Sequence, residues 1–347
     1  MSKNQLSVCI IAKNEERFLR GCLEKLKPHG FEIVVVDTGS TDGTVEIAKE
    51  FTEHVYSFPW INDFSAAKNF AADKASNDWI ISLDCDEYLK DIDIDEVSAL
   101  LTKNPLMIGS ISLENLIRNG EGIGKSMQKV FRIYNKKHVH FEGIIHEQLR
   151  RFDGEKVYGY IAPVSVIHYG YYLSEEELKA KNERNISMLL EQLKSCPKEP
   201  YYYFQLGQSY AVLNDYEKVF EYLSKGLEYD PNPEEAYTDQ MLIDYGTAML
   251  NTGRYALALN METLYDSLKD YSDYLFLLGR IYYANNQLFK AIQTFTQATA
   301  APKCIVMGTN SFFPLHSMAL IYEQIGEKEL ADSCNKQVEA LVGQVQM

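Results

Sequence analysis

The sequence has no run of 18 or more apolar residues, so no segment of it reads as a membrane-spanning helix. It has no Cys-x-x-Cys. The six cysteines (Cys9, Cys22, Cys85, Cys196, Cys304 and Cys334) are scattered, which fits reduced thiols rather than a disulfide framework or a zinc site. Positive charge is scarce: 34 Lys and Arg stand against 49 Asp and Glu, a net charge of −15. The clustered positive footprint that nucleic acid demands is missing, so nucleic acid is excluded as a partner. Near the N-terminus there is no Gly-rich, basic strand-to-helix loop of the kind that cradles a triphosphate, which argues against nucleotidyl transfer. The opening residues, Met1-Ser2-Lys3-Asn4-Gln5, lack the basic-then-apolar form of a leader peptide. These absences describe an expected cytoplasmic protein. With 347 residues, 46% of them hydrophobic, the chain is long enough for two domains.

The two halves follow different patterns. Up to about residue 170, strand and helix signals alternate. Leu6–Ala12, Phe31–Val36 and Trp79–Leu83 are apolar strands. Residues 14–27 read as a helix with Phe18, Leu19, Cys22, Leu23 and Leu26 on one stripe. Further helices are expected at 45–51, after the polar loop Thr38–Thr44, and at 63–75. Such alternation predicts an α/β, Rossmann-like, mostly parallel sheet, which binds ligands at the C-terminal ends of its strands. The turn Lys13-Asn14-Glu15, Asp37 and the pair Asp84/Asp86 all fall at such ends.

From about residue 174 the pattern is helical and repeats itself. Tyr203–Tyr210 is echoed by Tyr274–Tyr282, with weaker copies around Tyr245-Gly246 and Met318-Ala319. The small residues Gly207, Gly246, Gly279 and Ala319 are 39, 33 and 40 residues apart. Leu206-Gly207, Tyr210, Val219, Leu223, Gly226 and Pro231 fall where tetratricopeptide repeats, of period about 34, place their packing residues. Three to four stacked hairpins are expected, with Tyr203, Tyr210, Tyr282 and Phe295 in the core and a concave face suited to an extended peptide.

The acidic strand ends carry the chemistry. Asp84 and Asp86 are two residues apart at the end of a buried strand, so both carboxylates point the same way and suit one hard cation, Mg²⁺ or Mn²⁺, on a phosphate substrate. The set Cys9–Glu16, Val35–Thr44 and Asp84-Cys85-Asp86-Glu87 resembles glycosyltransferase family 2, which has the GT-A fold. Trp60–Asn69 and Phe141–Gln148 resemble the members fused to tetratricopeptide repeats, among them bacterial peptide and protein glycosyltransferases such as the bacteriocin S-glycosyltransferases. The resemblance covers residues 5–172. The expected layout is a GT-A domain over 1–172, a linking helix over 173–200 and the repeats over 201–347.

The resemblance implies roles. Ala12, Lys13, Asn14 and Glu15 would wrap the base of a nucleotide-sugar donor, and Asp37 would accept from uracil N3–H. Lys68, Asn69, Asp84, Cys85 and Arg132 would line the donor, with Lys68 near the diphosphate. Lys68 stands where many members carry Arg, which keeps the charge but not the bidentate grip. Arg132 is equally readable as a surface ion pair. Asp86 would be the main metal ligand, Asp84 would touch ribose or metal, and His168, or else His146, would complete the shell. Glu87 reads as a neighbour rather than a ligand. Glu147 would be the general base of an inverting transfer, with Asp153 as the fallback. The function implied is metal-dependent transfer of one sugar, glucose or N-acetylglucosamine, from a UDP-sugar to a peptide or protein. The alternatives are a lipopolysaccharide or capsule acceptor, for which Lys136-Lys137-His138 gives slight support, and an inactive domain on a binding scaffold. The repeats would hold the acceptor or form a homodimer.

Overall fold

The structure, a computed structural model, describes residues 5–119, 122–169 and 175–345. Met1–Asn4, used above against a leader peptide, lie outside the described residues. These residues divide into two compact units at Gln192/Leu193.

The first unit holds ten strands and five helices. In chain order they are β1 (Leu6–Ala12), α1 (Glu16–Leu26), β2 (Glu32–Asp37), α2 (Thr44–Phe51), β3 (Val55–Ser57), α3 (Phe64–Lys74), β4 (Trp79–Leu83), β5 (Glu87–Ile92), α4 (Ile94–Lys103), β6 (Ile108–Asn119), β7 (Gly122–Asn135), β8 (Val139–Glu142), β9 (Gln148–Arg151), β10 (Gly159–His168) and α5 (Glu175–Ser195). The main sheet runs β3-β2-β1-β4-β7-β6-β10-β5. Its first four strands are parallel. β7 and β5 run antiparallel to their neighbours, while β6 and β10 pair in parallel. The sheet is therefore mostly parallel but mixed.

The local sequence explains these elements. The α1 stripe buries Leu19, Cys22, Leu23 and Leu26, each worth about 2 kcal/mol of transfer free energy, while Phe18 stays partly exposed. α3 begins at Asp63, whose carboxylate accepts from the Ala66 N–H at 2.8 Å. β1, β2 and β4 are buried along nearly their whole length and mostly apolar, because helices cover both faces. Chain order reverses beside β1: β2 and β3 extend to one side and β4 lies on the other. The crevice between the C-terminal ends of β1 and β4 is the usual ligand position in such a sheet.

The second unit is all helical. Its helices are α6 (Pro200–Val212), α7 (Tyr216–Leu227), α8 (Ala236–Asn251), α9 (Tyr255–Ala258), α10 (Tyr265–Leu268), α11 (Ser272–Ala284), α12 (Leu288–Ala300), α13 (Phe312–Ile325) and α14 (Lys328–Val345). α6/α7, α11/α12 and α13/α14 are antiparallel hairpins. The expected small residues sit at the crossings. A Cβ on Gly207 would come within 2.4 Å of Leu223, and one on Gly279 within 2.5 Å of Phe295. The poor second repeat has a structural cause. Its second helix is broken into α9, a 3₁₀ turn over Leu259–Leu264, and α10. The long last spacing is taken up by the 301–311 loop. Asp273 anchors that loop, accepting from the Ile305 and Val306 N–H groups at 2.8 Å each.

Candidate active site

Three strand ends meet at one edge of the sheet. Ala12 pairs with Asp37 in register, and Ile10 pairs with Leu83. Past β1, Asn14 adopts a left-handed φ of 57°, which Asn tolerates well. Its Oδ1 accepts from the Thr41 N–H at 2.8 Å, and its own N–H donates to Ser40 Oγ at 2.9 Å. The Glu15 N–H donates to Thr44 Oγ1 at 2.7 Å. The turns after β1 and β2 are thus laced into one polar wall. Asp37 holds the second turn, its carboxylate accepting from the Gly39 and Ser40 N–H groups at 3.1 Å each. Lys13 is exposed. Glu15 is half-buried; desolvation, then Asp86, Asp84 and Asp42, lift its carboxyl to about 7.

At the end of β4 the two carboxylates of the motif part company. Asp84 faces cations: Oδ2 lies 2.9 Å from Arg132 and Oδ1 lies 3.5 Å from Lys68. Desolvation pushes Asp84 up, but Arg132 and Lys68 outweigh it and hold the carboxyl well below the usual carboxylate range. Arg132 also binds Glu87, which is 1% exposed and accepts from the Asp84 N–H at 3.1 Å. Arg132 is therefore an internal brace, and the surface-pair alternative fails. Cys85 turns its thiol into the core toward the Ile11 carbonyl, at 3.4 Å. Only its backbone is left to meet a donor.

Asp86 faces His168, with Oδ2 3.3 Å from Nε2. β6 and β10 run in parallel with His168 opposite Asn115, and the His168 Nδ1 lies 2.8 Å from Asn115 Oδ1. An Nδ1–H donated to Asn115 leaves the Nε2 lone pair on the Asp86 side, the tautomer a metal ligand needs. Asn115 is 4% exposed and carried no sequence signal, since only the register of β6 against β10 brings it there. Of the two candidate histidines, His168 is the one the structure brings to Asp86. His146, at φ 49°, has a buried Nε2 without a hydrogen-bond partner among the described residues, and burial lowers its pKa. Gly170 and Tyr171, next to His168, lie outside the described residues.

The loop joining β8 and β9 carries Glu147. It is pinned to α3, where Phe64 N–H donates to the Ile144 carbonyl at 2.9 Å and Ser65 Oγ to the Gly143 carbonyl at 2.5 Å. This sets Glu147 Oε1 2.5 Å from the Lys68 ammonium. Lys68 is 5% exposed. Burial pulls it down, but Asp84 and Glu147 more than compensate and hold its pKa above the ordinary lysine value. Lys68 thus links the proposed base to the Asp84 cluster. Asn69 departs from the expected donor contact, because its amide is spent on the Phe141 backbone, donating to O and accepting from N at 2.9 Å each. Asp153 is exposed and paired with Arg151 on the turn after β9.

With this geometry in place, residues 7–170 match the family described as Glycosyl transferase family 2, and residues 200–233 match a tetratricopeptide repeat. Residues 7–170 thus form a domain similar to glycosyltransferase family 2. SPbeta prophage-derived glycosyltransferase SunS of Bacillus subtilis is 28% identical over 260 residues, 74% of this chain and 61% of that protein. A TPR repeat-containing protein of Synechococcus elongatus is 28% identical over 311 residues, 86% of this chain and 75% of that protein. An uncharacterized glycosyltransferase of Rickettsia typhi is 32% identical over 146 residues, 41% of this chain and 50% of that protein. The chain thus spans under two thirds of the length of SunS.

Family 2 generally uses a divalent metal. Among the described residues no three His, Cys, Asp or Glu groups converge as a metal cage. The expected trio of Asp84, Asp86 and His168 is reduced to a pair, because both Asp84 oxygens face cations. Asp86 and His168 still fit a divalent ion. Their donor atoms are 3.3 Å apart, close to the roughly 3 Å between adjacent ligands implied by bonds of about 2.1 Å. Diphosphate oxygens would complete such a shell, as Mg²⁺ sites on phosphate substrates do.

The Arg132 brace gives one expected outcome. Arg132→Met leaves the Glu87 carboxylate buried without its cation, so unfolding stability should fall by about 3–5 kcal/mol. Urea denaturation measures this, and a loss under about 1 kcal/mol would remove Arg132 from its bracing role.

Proposed function

We propose that the chain is an inverting, divalent-cation-dependent glycosyltransferase that moves one sugar from a UDP-sugar, glucose or N-acetylglucosamine, to a peptide or protein side chain. The observation that carries this reading is the pairing of Asp86 with His168 beside the Asp84–Lys68–Arg132 cluster, at the crevice between β1 and β4. One edge of the sheet then offers a metal-binding pair next to two cations, which is what a nucleoside diphosphate needs.

In this reading the wall formed by Ala12–Glu15 and the Thr38–Thr41 turn receives the nucleoside. Asp37, oriented by the two N–H groups it already accepts, has lone pairs left for uracil N3–H. Asp84 meets the ribose and sets the positions of Lys68 and Arg132, which offset diphosphate charge. Asp86 and His168 hold the cation, which when bound assists departure of UDP as a Lewis acid. Glu147 takes the proton of the acceptor nucleophile as it attacks the anomeric carbon from the face opposite UDP. The Lys68–Glu147 ion pair keeps the base beside the diphosphate-facing cation, so donor and base are positioned by one side chain. The helical repeats present the acceptor, and a homodimer through them is a further proposal.

Incubation with UDP-glucose and UDP-N-acetylglucosamine, each with a peptide panel and Mn²⁺, tests the reading by mass spectrometry. A single hexose or N-acetylhexosamine added to one peptide class is expected. Release of free sugar from both donors, with no adduct on any peptide, would contradict the acceptor assignment.

A further inference from the structure

Helix α5 is pinned to the loop that carries Glu147, because the Ile144 N–H donates to Gln192 Oε1 at 2.8 Å. Lys181, Arg184, Met188 and Gln192 recur at three- and four-residue spacing and so share one face of α5. Met188 and Gln192 are buried, whereas Lys181 and Arg184 are exposed. The face is therefore packed towards its C-terminal end and open towards its N-terminal end. The open end overlooks the candidate active site, since the Lys181 charge is felt at both Glu15 and His146.

Arg184 places its guanidinium carbon 5.6 Å from the centre of the Phe64 ring. Phe64 meets Trp60 edge-on, with ring centroids 4.8 Å apart and planes at 64°. Partial desolvation lowers the Arg184 pKa, and no carboxylate offsets it among the described residues. Its polar contacts there are with a neutral group, Asn185 Oδ1, at 3.1 and 3.4 Å. A guanidinium has several further N–H donors to spend. The chain leading into α3 adds an apolar rim. The Phe58 N–H donates to the Asp37 carbonyl at 2.8 Å and the Phe64 N–H to the Ile144 carbonyl at 2.9 Å. Residues 58–64 thus bridge the polar wall and the Glu147 loop, and Ile61, within that bridge, is 59% exposed.

We propose that Trp60, Ile61 and Arg184 form an acceptor subsite in which Arg184 pairs with a carboxylate side chain about two or three residues from the one that receives the sugar. This rests on the reading of the chain as a peptide or protein glycosyltransferase with Glu147 as its base. The acceptor nucleophile must reach Glu147, which Lys68 holds. Phe64 lies one helical turn before Lys68, roughly 6 Å away on the same face of α3, and Arg184 sits over it. An extended peptide advances about 3.3 Å per residue, so two or three residues cover that turn and reach the guanidinium. The diphosphate already has Lys68 and Arg132 beside Asp84, which leaves the Arg184 charge to the acceptor. Trp60 and Ile61 would receive the apolar part of the same segment and keep water from the ion pair, which strengthens it.

The test uses the full-length protein with UDP and Mn²⁺, and fluorescein-labelled nonapeptides with a central Ser, Thr or Cys in an Ala/Gly background. Each peptide carries one Glu at a chosen distance from the centre and is matched by Gln and Lys forms. Wild type is expected to bind the Glu form about tenfold tighter than the Gln form when that distance is two or three residues, the scale of a charge-assisted hydrogen bond. Arg184→Met should erase the difference, and Arg184→Glu should reverse it in favour of the Lys form. Both variants should stay folded by thermal melt, because Arg184 has no ion pair to lose among the described residues. Equal binding of the matched forms by wild type, or a Glu preference that survives in folded Arg184→Met, would overturn the proposal. A marked fall in UDP affinity in Arg184→Met would give the guanidinium to the donor and overturn it as well. Sugar transfer from the UDP-sugars is scored on the same peptides. Peptides that bind through Arg184 and are never glycosylated, by protein that binds UDP, would leave the peptide contact standing and defeat the acceptor reading on which it rests.

Discussion

Asp86→Ala is expected to lower sugar transfer by about a thousandfold or more, the scale of losing several kcal/mol of Lewis-acid assistance to the leaving group. UDP binding in this variant should no longer depend on the cation. The fold should survive, because the Asp86 side chain is partly exposed and among the described residues pairs only with His168, whereas Asp84 is tied to Arg132 and Lys68. Titration of UDP with and without Mn²⁺, beside a thermal melt, checks both parts. Undiminished donor turnover in a folded Asp86→Ala protein would move the cation elsewhere.

Glu147→Gln separates binding from chemistry. Without a carboxylate to take the acceptor proton, transfer should fall by about 10²- to 10⁴-fold, the usual contribution of a positioned general base. UDP affinity should stay within a few-fold of wild type, because the glutamine carbonyl can still accept from Lys68 and Asp84 still neutralises that ammonium. Single-turnover measurement with saturating donor gives the chemical rate directly. Full-speed transfer by Glu147→Gln would assign the base to another group.

The sequence makes some of this site legible and hides the rest for identifiable reasons. Strand ends are legible, because a buried apolar run followed by Asp37 or by Asp84-Cys85-Asp86 marks itself locally. The small residues Gly207 and Gly279 are legible too, since a repeat period imposes the same close crossing on each hairpin. Asn115 and Glu87 are not. Their roles arise from β5, β6, β7 and β10, whose mixed pairing on the far side of the sheet leaves no local pattern. Side-chain direction is hidden as well. Cys85 lies between two site residues yet points into the core, and Asn69 follows Lys68 yet spends its amide on the backbone of β8. Adjacency in a motif places the backbone, while the side chain answers to packing. Lys68 shows the reverse: the family resemblance implied a cation near the diphosphate, and the fold adds its partner, Glu147, from a loop pinned to the same helix.

In the proposed reading, one edge of the sheet binds a nucleoside diphosphate-sugar through a cation held by Asp86 and His168. Calorimetric titration of UDP, UDP-glucose and UDP-N-acetylglucosamine into the full-length protein, first with Mn²⁺ and then with EDTA, tests it most directly. Micromolar binding that requires Mn²⁺ and favours one of the two sugars is the predicted result. Folded protein that binds none of the three with Mn²⁺, or binds them equally well in EDTA, would contradict it.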